Sequence, residues 1–459
     1  MYSIAIYGLG VMGSSLAKNL LSKGYSTALF SKSDEEGKRF CYDGINKDWK
    51  VFSDEKKLVS SLVSPRIIFL MITSGSPVDE VIESLIPSLN SGDIIIDGGN
   101  SHYTDTSKRV EYLKNWQINY LGIGVSGGEK GALIGPSMMV GGSREAWEVS
   151  KELLQKISAI YRGQSCCNYL GPKGAGHFVK MVHNGIEYAI LQLIADIYTI
   201  MNQGLGLSHN NIINTFMKWK TSKLNSYLLD ITIDVLSKKD EDGKILISKI
   251  LDVAKQKGTG SWTLQEAMKR GVYVPTICES VFARYFSANR ELRIEGSNTL
   301  SATVRPMELD NIQEQLKDAL LSGIICSYAQ GLELISVASR EEDWNIDLKE
   351  VVSVWREGCI ISGDLLIDIL DSLEENKQNI LITKKMLFIT DLESSWREVI
   401  VKAQQAALAI PTLISTLYYY DSCRAKLMSV NLIQGLRDCF GAHGYERVDK
   451  EGVFHTDWQ

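Results

Sequence analysis

Lys180, His183, Asn184 and Glu187 stand at offsets of 0, +3, +4 and +7 within the apolar stretch from Phe178 to Ala195. On a helix those offsets stack four polar side chains along one face. An amine, an imidazole, an amide and a carboxylate are costly to bury there unless they meet one another or a polar ligand. An amine and a carboxylate two turns apart can act as base and acid on a small substrate held between them. The alternative is structural, a polar cluster closed by an internal Lys–Glu pair.

A second group of residues sits at the N-terminus. Ser3–Tyr7 reads as a short buried strand, Gly8-Leu9-Gly10-Val11-Met12-Gly13 follows at once, and residues 14–21 continue as a helix before a second strand, Thr27–Phe30. That order is the dinucleotide-binding one. The first two glycines allow the tight turn and the backbone approach to a pyrophosphate, the third allows close helix–strand packing, and the helix N-terminus offers amide donors. At the end of the second strand, an acidic residue would accept bonds from the ribose of NAD. Here Ser31-Lys32-Ser33 places a cation between two hydroxyls, which suits a 2′-phosphate and favours NADP, although Asp34 follows and a solvated surface lysine is the plainer alternative. Asn100 falls at the end of a further strand, where ligands bind in such sheets. Ser126-Gly127-Gly128 offers a hydroxyl and accessible amides suited to a carboxylate, or else is a simple glycine turn.

These groups need scaffolding, and the chain has enough of it. Its 459 residues exceed one ordinary domain, and 44% hydrophobic with 23% charged residues is a globular composition. Strands at Arg66–Ile72 and Asp93–Asp97 alternate with helices, implying a mainly parallel sheet covered on both faces. Beyond about residue 175 long amphipathic helical patterns dominate, for example Ile186–Met201, Leu316–Ala338 and Trp396–Leu408. The reading is an α/β Rossmann-type domain over 1–174, a large all-α substrate and dimerisation domain over 175–425, and a tail over 426–459 that looks like an arm. A net charge of −6 argues against nucleic acid as partner. No clean apolar stretch of membrane-spanning length stands out, and the first strand lacks the basic flank of a signal peptide. Eight scattered cysteines form neither a metal-ligand pattern nor a disulfide framework, so no metal is expected and a cytoplasmic location is.

Several strings together resemble the decarboxylating 6-phosphogluconate dehydrogenase family of the β-hydroxyacid dehydrogenases. They are Gly8–Gly13, Ile94-Ile-Ile-Asp-Gly-Gly-Asn-Ser101, Gly124-Val-Ser-Gly-Gly-Glu129, Gly174-Ala-Gly-His-Phe-Val-Lys-Met-Val-His-Asn-Gly-Ile-Glu-Tyr188, Ile250–Trp262 and Phe440-Gly-Ala-His443. The resemblance implies oxidation of 6-phosphogluconate at carbon 3, loss of carbon 1 as carbon dioxide and release of ribulose 5-phosphate, with NADP as hydride acceptor. It makes Lys180 the base and Glu187 the acid, with His183, Asn184 and Ser126-Gly127-Gly128 on the sugar acid. Asn100 falls at the junction of nicotinamide and substrate. It assigns the substrate phosphate to Tyr188, Lys257, Thr259 and Arg284, with Arg437 and His443 reaching over from the second subunit of a homodimer. Met71, Ile72 and Thr73 line the cofactor side.

The chain departs from the family pattern twice near the cofactor. Thr73 stands where a lysine is usual, and Ser31-Lys32-Ser33 replaces Asn-Arg-Thr, which implies weaker cofactor affinity and selectivity. A dehydrogenase for an unphosphorylated β-hydroxy acid, or a silent paralogue that senses NADPH or a sugar phosphate, are the competing readings.

Overall fold

The computed structural model describes residues 1–255, 258–300, 303–375 and 377–458, and of Asp34 the backbone alone. Short runs of Ile, Leu, Val and Phe become strands: β1 (Ile4–Tyr7), β2 (Thr27–Phe30), β3 (Trp49–Phe52), β4 (Ile67–Leu70), β5 (Ile94–Asp97), β6 (Asn119–Val125) and β7 (Met138–Gly142). A small hairpin, β8 (Ile160–Tyr161) and β9 (Gln164–Ser165), precedes β10 (Cys167–Gly171). The main sheet has the order β10-β7-β6-β5-β4-β1-β2-β3. Its neighbours run parallel except β6 and β7. Alternate residues serve opposite layers, as the two-residue period of a strand requires: Ile4 and Ile6 pack into one, Ala5 and Tyr7 into the other. The order reverses between β1 and β4, and the crevice outside their carboxyl ends is where such sheets bind ligands.

The antiparallel strand β7 is absent from the sequence reading. Val125 to Met138 is spanned by a tight glycine turn and the short helix Gly128–Ile134, which packs on helix Val11–Ser22. The chain thus returns beside β6 in the opposite sense and does not cross over the sheet.

The rest is helical, around a continuous apolar core that runs from Phe178 to Tyr420. Helix Ala175–Thr199 lies at its centre and packs on strands β6 and β7, and on helices Thr259–Lys269, Pro275–Ser287, Ile312–Glu341 and Pro411–Arg424. It holds the Lys180–Glu187 stripe on one helix, as the spacing implies, and joins it to the amphipathic run that continues from Ile186. Helix Ile312–Glu341 is long and apolar enough, by length and composition alone, to cross a bilayer. The sequence reading takes Leu316–Ala338 as an amphipathic helix and sees no clean apolar stretch there, because serine, glycine and glutamine interrupt the run. Its apolar window is 78% buried inside the protein, against helices Ala175–Thr199 and Ile389–Gln405.

The tail corrects another expectation. It is not a featureless arm: helix Val430–Gly441 and the hairpin β11 (Tyr445–Glu446) with β12 (Val453–Phe454) close into a small unit. Asp438 is its knot. Its fully buried carboxylate accepts bonds from the Gly444 and Thr456 amides, His455 Nδ1 and Trp458 Nε1 at 2.8–3.1 Å. Burial alone would raise its pKa, but these donors outweigh it and hold the group well below the usual carboxylate range.

Candidate active site

Glycine lets helix Ala175–Thr199 lie directly on the sheet. A Cβ on Gly141 would stand 2.3 Å from the Gly176 amide nitrogen, and one on Gly176 would stand 2.4 Å from the Met139 carbonyl oxygen. On β6, a Cβ at Gly124 would stand 2.2 Å from that of Lys180. Real side chains do not approach so closely, so these glycines set the distance between sheet and helix. The consequence is chemical: Lys180 enters the protein at the end of β6, beside the loop that carries Ser126.

There the stripe closes into a network. Lys180 Nζ donates to Ser126 Oγ at 3.0 Å and lies 3.4 Å from His183 Nδ1. His183 Nε2 lies 3.4 Å from the same Ser126 oxygen, and its Nδ1 lies 3.3 Å from Asn184 Oδ1 and 3.9 Å from Glu187 Oε2. Lys180, His183 and Ser126 are buried, while Asn184 and Glu187 are half-buried and open the cluster outward. Burial lowers the Lys180 pKa, and the Glu187 charge only partly offsets it. The same burial raises Glu187 against the pull of Lys180 and Arg284. His183 is pushed well below its ordinary value, first by burial and then by the lysine charge, so its imidazole is neutral. The pair is therefore drawn toward neutral amine and protonated carboxyl, the forms a base and an acid need. Among the described residues no direct Lys180–Glu187 ion pair closes the cluster, and the two groups act on each other through their charges alone.

The turn that follows β6 is built for a close approach. Gly127 has φ of 102° and Gly128 of 62°, both left-handed, and a Cβ on Gly127 would meet the Gly358 carbonyl oxygen at 2.5 Å. One residue beyond Glu187, the Tyr188 ring packs on Gly260 in the first turn of helix Thr259–Lys269. The Arg284 guanidinium stacks over that ring, 3.5 Å from its centroid. Burial lowers the Arg284 pKa, but the group starts so high that it stays charged. Tyr188 and Arg284 thus stand together beside Glu187, and Thr259 is buried next to Gly260. Lys257 lies outside the described residues. Arg437 and His443 are exposed on the tail and make no hydrogen bond or ion pair to the Lys180 cluster among the described residues.

The cofactor loop has the expected form. Gly8 has φ of 106°, a Cβ there would strike the Met71 carbonyl oxygen at 2.5 Å, and one on Gly13 would strike the Gly8 oxygen at 1.9 Å. Nothing stands within 4 Å of a Cβ on Gly10, so the backbone is open there to a phosphate. Leu9 and Gly13 are buried, Met12, Met71 and Ile72 half-buried, and Val11, Lys32, Ser33, Thr73 and Asn100 exposed around the crevice. These residues fit the adenosine and pyrophosphate of a dinucleotide. Ser31 is buried, with its hydroxyl turned to Glu36.

Three contributors were not visible in the sequence reading. Asp97, fully buried below Asn100, accepts from the Gly99 amide at 3.0 Å, Ser101 Oγ at 2.6 Å and Tyr120 Oη at 2.9 Å. Arg109 joins Asp97 at 3.4 Å to Asp79 at 2.6 Å and to the Gly75 carbonyl at 3.0 Å, so the Thr73 and Asn100 loops share one brace. Cys359 is buried beside the cluster, and burial raises its pKa so that the thiol stays neutral and adds an apolar wall, not a charge. An aspartate ending an all-isoleucine strand was the available signal for the first; Arg109 and Cys359 gave none. Among the described residues no His, Cys, Asp and Glu side chains gather as a metal site.

Comparison with known proteins agrees over the whole chain. The family description "NAD binding domain of 6-phosphogluconate dehydrogenase" matches residues 3–171, and "6-phosphogluconate dehydrogenase, C-terminal domain" matches residues 176–458. The chain is 44% identical over 461 aligned residues to the decarboxylating 6-phosphogluconate dehydrogenases of Shigella flexneri and Escherichia coli K12, covering 99% of this chain and 98% of each. A solved Plasmodium falciparum 6-phosphogluconate dehydrogenase, described in its apo form and in complexes with its cofactor NADP+ and its substrate 6-phosphogluconate, superposes with a TM-score of 0.95 at 35% identity, covering 99% of this chain and 100% of that one. With glycine loop, buried amine and carboxyl stripe in place and both halves matched, the chain belongs to the 6-phosphogluconate dehydrogenase family.

Proposed function

We propose that Lys180 and Glu187 are the base and the acid with which this chain performs the family's reaction. That reaction oxidises 6-phosphogluconate at carbon 3, expels carbon 1 as carbon dioxide and releases ribulose 5-phosphate. NADP, when bound, supplies the hydride acceptor. The observation that carries the assignment is the buried Lys180 amine, hydrogen-bonded among the described residues to the neutral Ser126 and His183 and drawn by burial toward its neutral form.

Neutral Lys180 takes the proton from the carbon 3 hydroxyl as the hydride leaves. The resulting ammonium donates to the new ketone oxygen, so the electrons of the breaking carbon–carbon bond collect as an enediol. Glu187, kept protonated by its apolar surroundings, delivers a proton to the former carbon 2, now the terminal carbon of the enediol, while Lys180 takes back the proton of the carbon 3 hydroxyl as the ketone forms. His183 and Asn184 hold the sugar hydroxyls, and the Ser126 hydroxyl with the Gly127 and Gly128 amides receives the departing carboxylate. Asn100 orients substrate against nicotinamide. Tyr188, Lys257, Thr259 and Arg284 take the phosphate, Arg through paired donors and Lys as a point charge. Gly8 to Gly13, with Met71, Ile72 and Thr73, hold the cofactor, and Lys32 faces its 2′-phosphate.

The active form in this reading is a homodimer in a cytoplasmic setting. Leu427, Val430, Leu432, Ile433, Leu436 and Phe440 are all more than half exposed along the tail, an apolar face that a single copy leaves uncovered. Covering it with a second copy would carry Arg437 and His443 to the partner's phosphate site. The test is NADPH formation with 6-phosphogluconate beside gluconate. Turnover of the phosphorylated acid alone supports the reading; equal rates would show that the phosphate clamp is misassigned.

A further inference from the structure

We infer that Glu36 sets how strongly this chain prefers a 2′-phosphorylated dinucleotide, acting against Lys32 in the same loop. Ser31 ends β2, and its buried hydroxyl donates to Glu36 Oε2 at 2.8 Å while accepting from the Ser33 amide at 3.1 Å. Ser33 Oγ in turn accepts from the Glu36 amide at 3.3 Å. The carboxylate is thereby fastened at the carboxyl end of β2, where the adenosine ribose lies in this fold.

Two consequences follow from the chemistry. A serine hydroxyl has one proton to give. With that proton committed to Glu36, Ser31 offers no donor to a phosphate, although its residue type suggests one. The fixed negative charge also repels a 2′-phosphate, whereas a carboxylate in this place accepts well from the 2′-hydroxyl of NAD. Lys32 is exposed between the two serines and favours the phosphate. Opposite charges held in one short loop leave a smaller preference for NADP than the lysine alone would give.

The inference rests on the placement of the cofactor's adenosine half at this loop, and the test separates the two. Dissociation constants for NADPH and NADH are measured by nucleotide fluorescence on the full chain, without substrate, for wild type, Glu36→Gln, Glu36→Ala and Lys32→Ala. Removing the charge should tighten NADPH about tenfold. Both Glu36 variants should weaken NADH, and the NADPH gain should shrink as salt is raised. Lys32→Ala should weaken NADPH and spare NADH. If Lys32→Ala behaves so but the Glu36 variants bind NADPH no more tightly than wild type, the inference falls and the placement stands. If Lys32→Ala changes neither constant, the placement falls and the inference with it.

Discussion

The backbone of Gly124 lies against the stem of the Lys180 side chain: a Cβ on the glycine would stand 2.2 Å from the Cβ of the lysine. Strand β6 and helix Ala175–Thr199 meet at the point where the amine leaves the helix, so the sheet that binds the cofactor also fixes the height of the base.

Gly124→Ala is the smallest change that tests this relationship. The added methyl must push the helix from the sheet, at a cost of about 1–3 kcal/mol in stability. Shifting the amine by a fraction of an ångström should lower kcat far more than it weakens NADPH binding, about a hundredfold for a misplacement of that order. Steady-state kinetics with a parallel fluorescence titration reads both. Unchanged kcat in a folded variant would show that the contact does not position the base.

The pH profile tests the two shifted groups. In the proposed reaction Lys180 acts as a neutral amine and Glu187 as a protonated carboxyl. Burial lowers the first pKa and raises the second, so both shifts enlarge the working population. The groups are coupled and titrate as a pair. Turnover should fall in acid, where both hold protons, and in alkali, where neither does. Glu187→Gln should cost about a hundred- to ten-thousandfold in kcat. Its residual rate should climb with pH and level off, because no carboxyl remains to lose its proton. A residual rate that still declines in alkali would remove Glu187 from the acid role.

Asp97 should matter without touching the reactants. It receives Ser101, Tyr120, Arg109 and the Gly99 amide under Asn100. Asp97→Ala leaves the buried Ser101 and Tyr120 hydroxyls and the Gly99 amide without their acceptor, at a cost of about 1–3 kcal/mol for each group left unpaired, visible as a large drop in Tm. Asp97→Asn keeps the shape and should lose less. Both should weaken NADPH while leaving the pH limbs in place, and a shifted limb would mean that Asp97 acts on the base directly.

The tail makes the fourth prediction. Truncation after Ser429 should abolish turnover and shift the protein to monomer, with NADPH binding largely kept. Asp438→Asn weakens the four-donor knot and should reduce turnover only in part. Sedimentation and turnover on the same samples decide it. A fully active truncated protein would mean that each copy completes its own site.

Much of this was legible in the sequence because it is local. The glycine loop, its strand–helix frame and the Lys180–Glu187 stripe are periodic or contiguous, and the structure places them as the spacing implies. What escaped depends on residues far apart in the chain. Asp97 meets Tyr120 across two strands, and Cys359 reaches the cluster from a different element altogether. Ser31 shows a subtler limit: its type and place suit a phosphate donor, but its proton goes to Glu36, five residues on. The tail misled because its apolar residues mostly face outward and its order comes from one buried aspartate that gathers donors from distant positions.

The account turns on the Lys180 amine, and one comparison tests it most directly. NADPH and carbon dioxide are measured together from 6-phosphogluconate and NADP, for wild type and Lys180→Met. The account predicts equal amounts of the two products from wild type, and a loss of at least about a thousandfold in the variant, which still binds NADPH. A Lys180→Met protein within about tenfold of wild type would contradict it, because a thioether can neither take the hydroxyl proton nor polarise the ketone.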